Sequence, residues 1–434
     1  MLGKMKIEIK CHAKRAMQVL ENAYRIEPSA SRQVRWISSE NYQRMVCIDT
    51  AHCVGTGLGE MEKEAQEEAL KDCHKEGELP LSDMSSSVLQ LLAESERPNW
   101  RVGERITCEG VCEVDNAKIW VMRPSALRMR YEKERKAIIF NRFFRPVRCP
   151  GLPHLWVFIT SYDWSRLKEV KKEANSLFGR VGVLGNHGFD TRNYYHFWAD
   201  TMADLWFLRR MLPASMMPDH YLVHFAGLPW QWEILNMCGV ERRQVLPMPD
   251  HEFLKVETCI VPIRDKGSEA LPPWLASAIR NIAGWQSGRS LPTRRIYISR
   301  ADAPRRRVIN EKAVCVLLKE AGFQIYTLNG LSVRQQQSLF SSASVVFASH
   351  GAALTNLVWC QPETLVVDFL HEEYLVPCFQ ELSRQSGLNY LPVVCQPGES
   401  KGRVFEQDII IPEAQVTAIC QNIVKSEKSA AWLQ

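Results

Sequence analysis

Residues 344–370 read SVVFASHGAALTNLVWCQPETLVVDFL. An apolar run, a Ser-His-Gly junction, an apolar stretch of helical length and a second apolar run together predict one β-α-β unit. Strands buried on both faces of a parallel sheet are apolar throughout rather than alternating. Outward from this unit the same alternation continues. RRIYIS (294–299) predicts a strand, EKAVCVLLKEAG (311–322) a helix, FQIYTL (323–328) a strand, VRQQQSLFSSA (333–343) a helix and YLVPCFQELSRQSG (374–387) a further helix. Such regular alternation predicts an α/β fold, with a parallel sheet covered on both faces and ligands at the carboxyl ends of its strands.

Further upstream, KAIIF (136–140), LWVFIT (155–160), RVGVL (180–184) and DHYLVHFA (219–226) predict strands. YYHFWADTMADLWFLRRML (194–212) and QWEILNMCGV (231–240) predict helices. Two Rossmann-like halves in series result, residues 101–285 and 286–434, with a hinge in 265–292 and a cleft expected between them. The segment 79–99, LPLSDMSSSVLQLLAESERPN, has the Pro, Ser and mixed polarity of a linker, placed at 79–100. Before it, residues 1–78 predict a small α-β-β-β-α module, with strands in RQVRWISSE and QRMVCIDTA.

The bulk numbers exclude several classes. A chain of 434 residues with 46% hydrophobic and 24% charged residues is neither disordered nor fibrous. Its net charge of +5 is mild for this length, well short of a dedicated nucleic-acid coat. The 14 cysteines are scattered without a C-x-x-C pair and read as reduced thiols. The first residues carry no apolar leader, and no stretch reaches the roughly 18 apolar residues of a membrane span, so a cytoplasmic protein is expected. The basic run LRMRYEKERK (127–136) suits peripheral contact with the inner face of a membrane, or equally a solvated loop.

Several constellations could carry chemistry. RRIYISRADAPRRRVIN (294–310) ends a strand at Ser299 and Arg300 and delivers Arg305, Arg306 and Arg307 to the same sheet edge, where guanidinium groups contact phosphates bidentately. A solvated basic loop is the plainer reading of that run. Ser349, His350 and Gly351 end another strand of that sheet; Gly351 permits close backbone approach, Ser349 can cap the following helix, and a helix N-terminus attracts anions. A well-capped helix with a buried histidine would look the same. His196 and Asp200, spaced i, i+4, share a helix face and suit proton transfer, acceptor binding or simple anchoring of the helix. His187 and Asp190 lie in the turn-rich loop NHGFDTRN, and His371, Glu372 and Glu373 read best as a solvated helix start. Among the aromatics, Trp206 sits at an apolar helical position, so Trp230 and Trp232, after a Gly-Leu-Pro turn, are better ligand-stacking candidates than Trp206 or Trp198. Asn193, just ahead of the His196 helix, joins them as a candidate acceptor contact.

The run from RRIYISRADAPRRRVIN through GFQIYTLNGLSVRQQQSLFSSASVVFASHGAALTNLVW to TLVVDFL closely resembles the glycosyltransferase family 61 domain, as does NYYHFWADTMADLWFLRR (193–210). The resemblance spans residues 130–395, and the ordered set of motifs is more specific than any one of them. It implies a GT-B-like enzyme that moves a sugar, with inversion, from a nucleotide-sugar donor to a glycan acceptor, in surface or capsular polysaccharide synthesis. Arg300 and Arg306 would hold the donor diphosphate, Ser349, His350 and Gly351 would line the nucleotide site, and Asn310 would orient the loop. UDP is the nucleotide the resemblance favours. No D-x-D triplet occurs, so arginines and a helix end would neutralise the leaving group with no metal and no cofactor. His196 and Asp200 are then the candidates for the catalytic base and its orienter.

A second resemblance covers VCIDTAHCVGTGLGEMEKEAQEEALKDC (46–73), which is similar to the last strand and helix of a double-stranded RNA-binding domain. That family grips phosphates with lysines at the start of this helix. Here the positions are Glu62, Lys63, Glu64, Ala65 and Gln66, so only Lys63 is basic, and a protein-interaction module is favoured over an RNA binder. The rival to the enzyme is a non-catalytic adaptor with a degenerate transferase domain and an RNA- or protein-binding N-terminal module.

Overall fold

The computed structural model describes residues 34–38, 46–47, 110–122, 136–140, 142, 175–186, 192–248, 253–264, 271–286, 291–398 and 403–431. They fall into two compact units, the described residues up to Trp285 and those from Gln286 onward.

The first unit is built on eight strands: β1 (Val34–Ser38), β2 (Val46–Cys47), β3 (Gly110–Met122), β4 (Lys136–Phe140), β5 (Asn175–Leu184), β6 (His220–Val223), β7 (Val245–Pro247) and β8 (Phe253–Ile263). They pair in the order β2-β1-β3-β8-β5-β6-β7, with β4 on β3. From β8 through β5 and β6 to β7 the pairing is parallel, as the apolar runs predict. The other side is antiparallel, so this sheet is mixed rather than parallel throughout. The antiparallel side is carried by β3, whose apolar alternation shifts phase at Asn116 (φ +49°) and which runs antiparallel to β8 from Gly110 opposite Ile263 to Trp120 opposite Phe253. Cys112, Val114, Ala117, Ile119 and Val121 meet Leu254, Val256, Cys259 and Val261 in one core cluster. The described strands of the 1–78 segment, β1 and β2, belong to this same sheet. Lys63, the helices expected in 1–78, the linker 79–100 and LWVFIT lie outside the described residues.

Helix α1 begins as Tyr194–His196, passes through a π-helical turn at Phe197–Met202 and continues as Ala203–Met211. Helices α2 (Pro229–Met237) and α3 (Leu275–Ile282) follow. Trp206 of α1 stacks on Trp274 at 4.9 Å and donates Nε1–H to Asn281 Oδ1 at 3.2 Å, which ties α1 to α3 as a packing residue would.

The second unit has strands β9 (Arg294–Ile298), β10 (Gln324–Tyr326), β11 (Ala343–Ser349), β12 (Leu365–His371), β13 (Asn389–Pro397) and β14 (Ile409–Ile410), paired β10-β9-β11-β12-β13-β14. All pairs are parallel except β13 with β14. Helices α4 (Glu311–Glu320), α5 (Val333–Ser341), α6 (Cys378–Gln385) and α7 (Glu413–Ala431) connect or follow these strands. Ser332 caps α5 reciprocally: its Oγ accepts from Gln335 N–H and Gln335 Oε1 accepts from Ser332 N–H. Side-chain alternation sends Phe347, Val367 and Phe369 into a core with Val314, Leu318, Val416 and Ile419. Each fully buried side chain of this size contributes about 1.5–3 kcal/mol.

The order of these strands decides where a ligand goes. The chain runs outward in one direction from β9 to β10 and in the other from β11 through β13, so the connections diverge between β9 and β11. In doubly wound sheets that divergence opens a crevice at the carboxyl ends of the two strands.

Candidate functional site

Both motifs singled out in the sequence sit at that divergence. Ser299 and Arg300 follow β9, and His350 and Gly351 follow β11, while Ala348 pairs with Ile298 across the two strands. Arg300 is fixed on three sides. Its Nε donates to Arg306 O at 2.8 Å, its Nη2 to Arg305 O at 2.9 Å and its N–H to Glu311 Oε1 at 3.1 Å. Tyr297 OH donates to the same Glu311 oxygen, which locks the strand end to the start of α4. Asn310 ties the loop to the backbone of Ile411: its Nδ2 donates to Ile411 O at 2.8 Å and its Oδ1 accepts from Ile411 N–H at 3.0 Å.

The basic run divides into engaged and ligand-ready members. Arg305 pairs with Glu406 at 2.6 Å and Arg307 with Asp408 at 3.2 Å. Arg300 and Arg306 have no carboxylate within ion-pair distance among the described residues. Burial, with Arg306 adding repulsion, lowers the Arg300 guanidinium to about 10, and burial also lowers that of Arg306. Both remain charged near neutrality, and half-buried cations without a paired anion are what an anionic ligand would satisfy. Arg306 also holds a left-handed backbone (φ +55°), uncommon for a side chain of its size. Its guanidinium lies 5.9 Å from the Tyr374 ring. Strained positions of this kind cluster at ligand sites.

At the second motif the element after the junction differs from expectation. A 3-10 helix, Ala352–Trp359, follows Gly351 instead of an α-helix, and no side chain caps it. Ser349 therefore ends β11 and is not a helix cap. The first hydrogen bond of this helix runs from Leu354 N–H to Gly351 O at 2.9 Å, so the amides of Ala352 and Ala353 precede its ladder. Gly351 itself has extended backbone that any residue adopts. Its lack of a side chain matters for another reason: a Cβ there would collide with Arg300 Nη1.

His350 is buried, and its Nδ1 lies 2.8 Å from Asp368 Oδ2. Sequence reasoning passed over Asp368; the available signal was one carboxylate inside the apolar strand TLVVDFL near its carboxyl end. His371 ends β12, with Nδ1 accepting from Glu373 N–H and Nε2 facing Gln407 Oε1 at 3.1 Å, whereas Glu372 and Glu373 are solvated on a turn rather than a helix start.

The first unit holds the other candidates. Asn193 is the N-cap of α1, with Oδ1 accepting from the N–H groups of Tyr195 at 2.9 Å and His196 at 3.4 Å. His196 Nδ1 lies 2.7 Å from Asp200 Oδ2, so the i, i+4 spacing does bring them together, with His196 partly exposed and Asp200 nearly buried. The π-helical turn that holds them has an identifiable cause. Arg264, almost wholly buried, donates Nη2 to the carbonyls of Ala199 (2.9 Å) and Asp200 (2.8 Å) and Nε to Asp204 Oδ1 (2.8 Å). Asp204 Oδ2 in turn accepts from Gly185 N–H at the end of β5. An inserted cation that draws carbonyls from the α-ladder widens a helix locally, and such turns often mark functional sites.

Among the tryptophans, Trp198 is fully buried. Trp230 is partly exposed and packs 5.4 Å from both Tyr194 and Phe197, the neighbours of the His196–Asp200 pair. Trp232 has one face covered by the Arg242 guanidinium at 4.7 Å and meets Phe225 at a steep 82° angle, 5.0 Å between ring centres. His187 and Asp190 lie outside the described residues. Among the described residues no cluster of three or more His, Cys, Asp or Glu side chains converges as a metal site would, and no helix is long and apolar enough to cross a membrane. No curated protein matches the chain. Residues 194–367, from the first residue of α1 to the middle of β12, match the family model described as Glycosyltransferase 61, which supports a glycosyltransferase domain of that family.

Proposed function

We propose that the protein is an inverting glycosyltransferase that takes a sugar from a nucleotide-sugar donor, UDP-linked by preference, and passes it to a glycan acceptor in surface or capsular polysaccharide synthesis. The observation that carries the reading is the pair Arg300 and Arg306, charged, half-buried and free of carboxylate partners among the described residues, at the strand divergence of the second unit. Guanidinium groups of this kind suit a diphosphate leaving group, whose negative charge grows as the glycosidic bond breaks; they supply that neutralisation without a metal. The second unit is then the nucleotide-binding half and the first the acceptor half. Inversion needs a base for the acceptor hydroxyl, and His196, oriented by Asp200, takes that proton. The partly exposed face of Trp230 beside the same helix stacks the acceptor sugar.

A thermal-shift screen of the full chain against UDP, GDP, CMP and their common sugar conjugates, with and without divalent metal, tests the donor site. A ligand at 100 times its Kd stabilises the folded state by about 2.7 kcal/mol. One nucleotide sugar should raise the melting temperature, and Arg300→Ala should abolish the rise. No rise with any nucleotide at millimolar concentration would remove the donor assignment.

A further inference from the structure

Asp368 is the residue immediately beyond the stretch that matches the family model, and nothing in the proposed transfer step uses it. Its neighbours Val367 and Phe369 point into the apolar core, so alternation places Asp368 on the opposite face of β12, where it is wholly buried. An apolar residue would be the less costly occupant of such a position. The carboxylate is used asymmetrically. Oδ2 meets His350 Nδ1 at 2.8 Å and accepts from Tyr390 OH at 2.7 Å, while Oδ1 is buried without a partner among the described residues. Burial and the adjacent Asp368 push the Tyr390 phenol well up, so it stays a donor to that oxygen. The imidazole of His350 is meanwhile wedged between rings, with Phe379 at 4.9 Å and Tyr374 at 5.8 Å, and Tyr374 is the ring beside which Arg306 lies.

We propose that Asp368 is a positioning residue for the donor-phosphate site: it engages the Nδ1–H of His350, fixes that tautomer and ring angle, and so presents Nε2 to the donor beside Arg300 and Arg306. Tyr390 holds the carboxylate, and the rings of Phe379 and Tyr374 block the imidazole from turning away. A histidine whose tautomer is set by a buried carboxylate offers its second nitrogen in one orientation only, which is what ligand recognition at that nitrogen requires. The inference rests on the donor-site reading above.

The test compares wild type with Asp368→Ala, Asp368→Asn, His350→Ala and the double variant Asp368→Ala/His350→Ala in the full chain. The readouts are UDP affinity by calorimetry and the imidazole nitrogen signals of His350 by NMR. Asparagine keeps a carbonyl oxygen where Oδ2 stood and accepts the same two donors; alanine does not. Wild type and Asp368→Asn should therefore show the Nδ1–H tautomer and bind UDP within about threefold of each other. Asp368→Ala should lose the single tautomer and about tenfold in affinity. The double variant should bind no worse than His350→Ala, because the effect runs through the imidazole. Equal loss from Asp368→Ala with and without His350 would overturn the positioning role and leave Asp368 a fold residue. If wild type binds no nucleotide, the donor-site reading fails first, and an unchanged His350 tautomer in Asp368→Ala or, should that variant not fold, in Asp368→Leu would independently overturn the pair.

Discussion

Replacing Gly351 by alanine isolates one contact of the proposed donor site. The backbone there is extended (φ 173°), so alanine fits without strain, and such a Gly→Ala change would ordinarily stabilise by about 0.4–1 kcal/mol through the unfolded chain. Here the added Cβ lands on Arg300 Nη1. A flexible side chain would swing aside, but Arg300 is pinned through Nε and Nη2 to the carbonyls of Arg306 and Arg305 at 2.8 and 2.9 Å. To clear the methyl it must release at least one of them. Hydrogen bonds to charged groups contribute about 1.5–3 kcal/mol each, and the partial exposure of this group places the loss at the lower end. Against the entropic gain, the net change in folding stability is therefore about 1 kcal/mol, close to the noise of a melting curve for this length. If Arg300 holds the diphosphate as proposed, the displaced guanidinium no longer meets it, and nucleotide affinity should fall about tenfold or more. Calorimetric titration of UDP into wild type, Gly351→Ala, Arg300→Ala and the double variant reads this directly. The Gly351 effect should vanish in the Arg300→Ala background, since the methyl then has nothing to displace. An undiminished affinity in Gly351→Ala, or a loss that persists without Arg300, would refute the steric argument.

Arg306→Gly relieves the left-handed backbone and removes the cation beside Tyr374. It should melt at the same temperature as wild type or higher while losing UDP stabilisation, and a lower melting temperature would count against stored strain. His196→Ala and Asp200→Asn should lower kcat by about 10²–10⁴ with UDP affinity unchanged, measured as sugar transfer against nucleotide titration. Loss of UDP binding in either would place the pair at the donor instead. Arg264→Met removes the cation that faces Asp204 and the carbonyls of the π-helical turn. It should cost about 3–5 kcal/mol by denaturant unfolding, and Asp204→Asn added to it should recover part of that loss. Trp230→Ala should raise the acceptor KM and leave donor affinity alone, whereas Trp232→Ala, whose indole face Arg242 already covers, should change the acceptor KM little.

The second unit was legible from β9 to α6 because the strands there are short apolar runs, each followed by a helical repeat, and parallel β-α pairing buries both; β13, whose run holds Asn389, Pro392 and Gln396, was not read from the sequence, and neither were β14 and α7. In the first unit the same local pattern made β4, β5, β6, α1 and α2 legible, and RQVRWISSE and QRMVCIDTA hold β1 and β2, whereas β3, β7, β8 and α3 were not read from the sequence. Strand β3 escaped notice because its apolar alternation shifts phase at Asn116, and its partner β8 lies far along the chain. Glu113 is nonetheless buried, since the Arg180 side chain of β5 reaches it. No local pattern announces that pairing.

The candidate site divides in the same way. The arginine run, the Ser-His-Gly junction and the i, i+4 pair were readable because their meaning depends on neighbours in sequence. Sequence alone did not reveal which arginines were already engaged, since Arg305 and Arg307 find Glu406 and Asp408 about a hundred residues away. Nor could it show that Gly351 makes room for a guanidinium from another strand, that Arg264 opens the π-helical turn from 60 residues beyond, or that one acid in TLVVDFL reaches His350. Sequence determined the β-α periodicity, and with it the sheet edge to which the chemistry is delivered, because local pattern fixes local structure. Only the tertiary structure decided which charges there are neutralised and which stay available, because hydrogen bonds and ion pairs form between groups brought close by the sheet, whatever their separation along the chain.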